Sequence, residues 1–112
     1  MQIDTKDIEN GIIIGLNGKI IGDSVAELRQ TIEDKLNSGV KWIILDLKEV
    51  PLMDSSALGT IIAAFMKLQE HNGQLVLLDP QKNIVDVLSI TKLDSLFEVY
   101  YDIKTALEAV KS

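Results

Sequence analysis

The stretch Trp42-Ile43-Ile44-Leu45-Asp46-Leu47-Lys48-Glu49-Val50-Pro51-Leu52-Met53-Asp54-Ser55-Ser56-Ala57-Leu58-Gly59 decides the fold. Its first part lies within Val40 to Leu47, which contains Trp42-Ile43-Ile44-Leu45, a continuous apolar run of strand length. That is the pattern of a strand covered on both faces, so it is expected at the centre of a sheet. Its second part opens a helix: Asp54-Ser55-Ser56 precede Leu58, Ile61, Ile62 and Phe65 at helical spacing, and His71-Asn72-Gly73 ends the run. A buried strand leading into an amphipathic helix is the unit of an α/β domain.

Working outward, the same alternation continues on both sides. Upstream, Met1 to Ile8 is weakly apolar at alternate positions, and Glu9-Asn10-Gly11 suits a tight turn into a second strand, Ile12 to Leu16, so an antiparallel β-hairpin opens the domain. Ser24-Val25-Ala26-Glu27 fits a capping box, Val25, Leu28, Ile32 and Leu36 form one apolar stripe, and Asn37-Ser38-Gly39 is a helix stop. Downstream, Leu75 to Leu78 is a second buried strand, and Asp79-Pro80 reads as the N-cap and first position of a third helix running through Val87 and Leu88. A last strand near Phe97 to Tyr100 leads to Asp102, which caps a terminal helix with Ile103, Ala106, Leu107 and Val110 inward. Strands separated by helices require crossovers, so the expected fold class is α/β, a mixed sheet with an N-terminal antiparallel hairpin and about four helices. No linker, low-complexity tract or repeat divides it, and residues 1–112 are expected to form a single domain.

Composition removes several function classes. The 112 residues carry 11 Lys and Arg against 17 Asp and Glu, a net charge of −6, which is the wrong sign for gripping phosphate backbones, so nucleic acid is not an expected partner. The absence of cysteine excludes disulfides, thiolate metal sites and thiol chemistry and is compatible with the cytosol. Acids appear early in Met1 to Asp7 and the apolar runs are short, so neither a signal peptide nor a membrane span is expected.

The residues that could carry chemistry are few. His71 is the only histidine, and a helix from Ser55 would place it roughly 24 Å away at 1.5 Å per residue, too far for a Ser-His-Asp arrangement. Its ordinary role is a favourable charge at a helix C-terminus when protonated. Neither metal nor cofactor is expected, since Zn²⁺ wants Cys and His clusters and Mg²⁺ wants convergent carboxylates. Gly11, Gly15, Gly18 and Gly22 read as turn and bulge glycines, because Gly18-Lys19-Ile20 lacks the Ser or Thr of a phosphate loop. Asp46 superficially suggests the phosphoacceptor of a receiver domain, but no acidic pair follows the first strand and Lys104 falls in the terminal helix. There remain Asp54, Ser55 and Ser56. Asp54 or Ser55 can serve as an N-cap, worth about 0.5–2 kcal/mol. A hydroxyl at a helix start can also accept a phosphate, which would add about −1.5 to −2 charge beside Asp54. The two roles are compatible.

At these residues the chain resembles the STAS domain family and, within it, the small stand-alone bacterial anti-sigma-factor antagonists. The resemblance spans nearly the whole chain: the hairpin, Gly18-Lys19-Ile20, Ile43 to Leu47, Met53 to Gly59, Asn72-Gly73-Gln74, and a leucine-rich third helix before Leu93 to Phe97. The family pattern of Asp-Ser-Ser or Asp-Ser-Thr followed by Gly-Leu-Gly makes Ser55 the implied phosphoacceptor and Ser56 its neighbour. The resemblance implies a binding switch with no catalysis by this chain, working in the cytoplasm. The unphosphorylated antagonist binds an anti-sigma factor that is also a serine kinase and so frees the sigma factor for transcription. Phosphorylation by that kinase releases it, and a PP2C-type phosphatase restores it. The implied partner surface joins Ile20, Ile21, Gly22 and Asp23 to Asp54, Ser55, Ser56 and Leu58. Two positions depart from the pattern: Ala57 stands where Gly is usual, and Ile21 where many antagonists carry Asp, which changes what partner the loop can read. The same family resemblance admits an adaptor subunit of a lipid-transport or signalling-scaffold complex, with no sigma factor involved.

Overall fold

A computed structural model describes residues 1–111; Ser112, the last residue of the expected domain, lies outside the described residues. β1 (Gln2–Ile8) and β2 (Gly11–Asn17) form the hairpin, followed by α1 (Asp23–Asn37), β3 (Trp42–Glu49), α2 (Ser55–Glu70), β4 (Gln74–Leu78), α3 (Lys82–Ile90), β5 (Glu98–Tyr100) and α4 (Ile103–Lys111). The sheet order is β1-β2-β3-β4-β5, with β1 antiparallel to β2 and every later pair parallel. The expected mixed sheet and the central place of β3 are therefore both present.

Strand alternation divides the core into two layers. On one face Ile12, Ile14, Leu16, Ile43, Leu45, Leu47, Leu75 and Leu77 pack against the inner sides of α1, α2 and α3. On the other face Trp42, Ile44, Val76 and Leu78 pack against Ala106 and Val110 of α4. β3 is thus buried on both sides along Trp42 to Leu45, which is why that run is apolar without alternation. The Phe65 and Phe97 rings meet edge to face at 5.3 Å, joining α2 to the segment before β5.

Three local expectations are corrected. The capping box at Ser24 does not form: α1 starts two residues earlier than a Ser24 cap implies, at Asp23, with Gly22 as N-cap and no side-chain cap. Ser24 Oγ instead accepts the Ile21 N–H at 2.8 Å, and Glu27 lies exposed. Asp79 is not the N-cap of α3. It sits at φ 52 with its N–H bonded to the Tyr100 carbonyl, and Gln81 occupies the cap position. On α2, Ala57, Thr60, Ile61, Ala64 and Leu68 are buried, and Leu58, Ile62 and Phe65 are partly buried and packed against the same core. Ile103 is exposed, at the first position of α4, while Ala106 and Val110 face the sheet and Leu107 packs against that cluster. The Asp102 cap does form, its Oδ1 accepting the Thr105 N–H at 2.9 Å.

The turn after α2 is closely fitted. Gly73 donates its N–H to the Leu68 carbonyl at 2.7 Å, and a β-carbon there would stand 2.4 Å from the Lys41 carbonyl oxygen, a main-chain atom that cannot swing aside. Gly59, inside α2, faces open space. Gly73→Ala is therefore expected to destabilise the fold by about 1–3 kcal/mol, whereas Gly59→Ala stabilises it by about 0.5–1 kcal/mol. Urea unfolding of the two variants beside the native chain checks both signs.

Candidate functional site

β2 and β3 run parallel, so the chain leaves both at the same end of the sheet. Beyond the strands their pairing continues in fragments. The Gly18 N–H donates to the Glu49 carbonyl at 2.9 Å, the Ile20 N–H to the Leu52 carbonyl at 2.9 Å, and the Asp54 N–H to the Ile20 carbonyl at 3.2 Å. Ile20 and Met53 form a parallel bridge. This extension carries the loop before α1 directly alongside the start of α2, because main-chain groups leaving a sheet must find partners near the core.

Asp54 is the N-cap of α2, in extended conformation. Its Oδ1 accepts the Ala57 N–H at 2.9 Å and the Ser56 hydroxyl at 2.7 Å. Its Oδ2 accepts the Gly22 N–H of the neighbouring loop at 3.2 Å. These donors, the Ala57 N–H foremost, then the Ser56 hydroxyl and the Gly22 N–H, hold the Asp54 carboxyl below the usual carboxylate range. The two serines consequently differ. The Ser56 hydroxyl is spent on the cap, while the exposed Ser55 hydroxyl has no hydrogen-bond partner among the described residues.

The residues singled out in the sequence do converge here, with one correction. Ile21, Gly22 and Asp23 are exposed beside exposed Ser55 and Ser56, and Leu58 is half-buried. Ile20 is fully buried, at 0% exposure, so its side chain is a core anchor and offers nothing to a partner. Ile21, 40% exposed, is the apolar group the loop presents. Sequence reasoning missed Leu52, 45% exposed next to the cap, whose only signal was an apolar residue between Pro51 and the helix start. It also missed an apolar cleft of about 170 Å³ in which Ser55, Met53 and Leu58 face Ile84, Val87 and Thr91 of α3. Met53 and Leu58 hold the positions before the cap and four residues after it, the spacing of a hydrophobic staple.

Hydroxyl activation has little support in this geometry. Asp54 is committed to three donors and held acidic, which makes it a weak proton acceptor, and His71 caps the opposite end of α2. Among the described residues no group of three or more His, Cys, Asp or Glu side chains is arranged to hold a metal ion. Asp46 pairs with Lys48 Nζ on the α4 side of the sheet.

Asp54 and Asp102 both have depressed carboxyl values in the fold, Asp102 chiefly through the Thr105 N–H. Their contribution to stability is complete above the ordinary carboxylate value of 3.8 and fades as pH falls through the lowered folded values. The expected result is that the urea midpoint drops further between pH 6 and pH 3 in the native chain than in Asp54→Asn/Asp102→Asn. Parallel curves would contradict it.

Residues 2–106 match the model of the STAS domain. A Thermotoga neapolitana protein provisionally assigned as an anti-sigma factor antagonist is 31% identical over 107 residues, 95% of each chain. The anti-sigma-B factor antagonist of Bacillus subtilis is 27% identical over 99 residues, 88% of this chain and 90% of its own. The Bacillus protein SpoIIAA superposes in its unphosphorylated form with a TM-score of 0.87 at 20% identity, covering 98% of this chain and 96% of that one. In its phosphorylated form the TM-score is 0.80 at 21% identity, covering 97% and 99%. With residues 2–106 matched by that domain model, this chain belongs to the STAS domain family.

Proposed function

We propose that this protein is an anti-sigma factor antagonist whose partner binding is switched by phosphorylation of Ser55. The observation that carries the reading is the contrast between the two serines: Ser55 is exposed with a free hydroxyl at the first position of α2, while Ser56 is tied into the Asp54 cap. The names of the relatives support the class of partner, an anti-sigma factor, and the existence of a phosphorylated form of SpoIIAA supports the kind of switch.

In this reading the chain binds and does not catalyse. The unphosphorylated surface presents the exposed apolar side chains of Ile21, in the loop bonded to Asp54, and Leu52, shortly before the cap, together with the exposed Ser55 hydroxyl. The partner is an anti-sigma factor that doubles as a serine kinase, and a PP2C-type phosphatase acts on the released form. A phosphate on Ser55 places about −1.5 to −2 charge in the middle of that surface. The helix N-terminus favours the anion by about 0.3–1 kcal/mol, so the fold tolerates it. The partner must desolvate it. A loss of about 2–4 kcal/mol at the interface weakens binding by roughly 30- to 1,000-fold.

Affinity capture from the source cell's lysate on immobilised wild-type, Ser55→Ala and Ser55→Glu protein tests this. A histidine-kinase-like ATPase is expected on the first two baits and lost from the third. Equal retention on all three baits overturns the switch. Recovery of transporter or scaffold subunits alone overturns the sigma-factor assignment and favours the adaptor role, to which the apolar Ile21 is suited.

A further inference from the structure

The Asp54 carboxylate does more than capping requires. A helix cap needs one acceptor oxygen, and Asn or Ser supplies it as well as Asp. Here Oδ1 alone serves the cap, while Oδ2 reaches out of the helix to the Gly22 N–H, which is 32 residues away in sequence. The loop's two successive N–H groups are thus held from two helices, Ile21 by Ser24 Oγ of α1 at 2.8 Å and Gly22 by Asp54 of the α2 cap. Gly22 adopts φ 56, a left-handed conformation, and a β-carbon there would meet nothing within 4 Å. Packing therefore holds the loop at buried Ile20, whose carbonyl also accepts the Asp54 N–H, and does not hold it at Gly22. Beyond Ile20, the bond from the Gly22 N–H to Asp54 Oδ2 is the loop's side-chain link to the serine-bearing helix.

We infer that Asp54 is a positioning residue: through Oδ2 it locks the loop carrying Ile21 to the start of α2, and the charge of a phosphate on Ser55 reaches that loop by loosening this link. The inference deepens the proposed switch and rests on Ser55 as its phosphoacceptor. Ser55 adjoins Asp54 in the chain, so a phosphate there repels the neighbouring carboxylate and offers competing acceptor oxygens to the same donors. Ile21, the loop's exposed apolar side chain, is the group displaced when the Gly22 link weakens. Phosphorylation would then alter the partner surface at two places at once, at the serine and at Ile21.

The two oxygens can be separated experimentally. Asp54→Asn can keep a carbonyl oxygen toward Ala57 and Ser56, but it puts an N–H₂ donor where Gly22 needs an acceptor. The measurement is the amide resonance and solvent-exchange rate of Gly22 and Ala57 in ¹⁵N-labelled protein. The forms compared are wild type, Asp54→Asn, Asp54→Ala, and wild type with phosphoserine installed at position 55 during translation. In Asp54→Asn the Gly22 amide is expected to move upfield and exchange roughly three- to tenfold faster while Ala57 stays close to wild type. In Asp54→Ala both amides change. In the phosphoserine form Gly22 moves toward its Asp54→Asn position. The inference is overturned if Gly22 in Asp54→Asn keeps its wild-type shift and exchange rate. It is equally overturned if phosphoserine moves Ser56 and Ala57 but leaves Gly22 in place. No partner protein enters this measurement, so its failure is distinct from that of the lysate capture: the link can fail while Ser55→Glu still loses the kinase, and the kinase assignment can fail while the link stands.

Discussion

Ile20 has to satisfy two demands where the chain leaves the sheet. Its side chain is fully buried, and its N–H and carbonyl need partners at a point where β2 has ended. Both are met by Leu52 and Asp54 in the segment that follows β3, which is possible only because β2 and β3 run parallel and end together. An unpaired main-chain group in that position would lose a hydrogen bond without water to replace it. The position of the loop before α1, the direction in which α2 leaves the sheet, and the meeting of Gly22 with Asp54 all follow from that short extension of the parallel ladder.

At the surface above it, a few polar groups divide the work. Asp54 gathers donors from two segments, Ser56 completes its shell, and exposed Ser55 is left with a free hydroxyl. The arrangement is economical in charge. The site is at a helix N-terminus, where the unsatisfied N–H groups favour an anion, in a chain whose net charge of −6 otherwise disfavours one. An added phosphate is thus tolerated by the helix and felt by whatever docks against it.

Much of the fold was legible because burial leaves a direct trace in residue type. The unbroken run in β3 reflects cover on both faces, and the period of α1 reflects cover on one. The Asp54 and Asp102 caps were readable because each satisfies N–H groups within its own helix turn. The failures share a different cause. Ser24 had the spacing of a capping box, yet its hydroxyl is taken by the Ile21 N–H, in a loop whose path is set by pairing with residues 52–54. Asp79 had the composition of a cap, yet its backbone is bent to φ 52 where its N–H meets Tyr100 across β4 and β5. Ile20 and Ile21 are identical in type and adjacent, and one is core while the other is surface.

The local periods, the order of strands and helices, the capped Asp-Ser-Ser start of α2 and the exclusion of thiol chemistry were determined by the sequence itself, since each is set by residue type or by residues within a turn or two of one another. Tertiary structure alone decided which of the two isoleucines faces solvent, that Leu52 is exposed beside the cap, and that Gly22 is held by Asp54. Those outcomes turn on hydrogen bonds and burial between segments some thirty residues apart, brought together only when β2 and β3 pair, and the composition of either segment does not encode its distant partner.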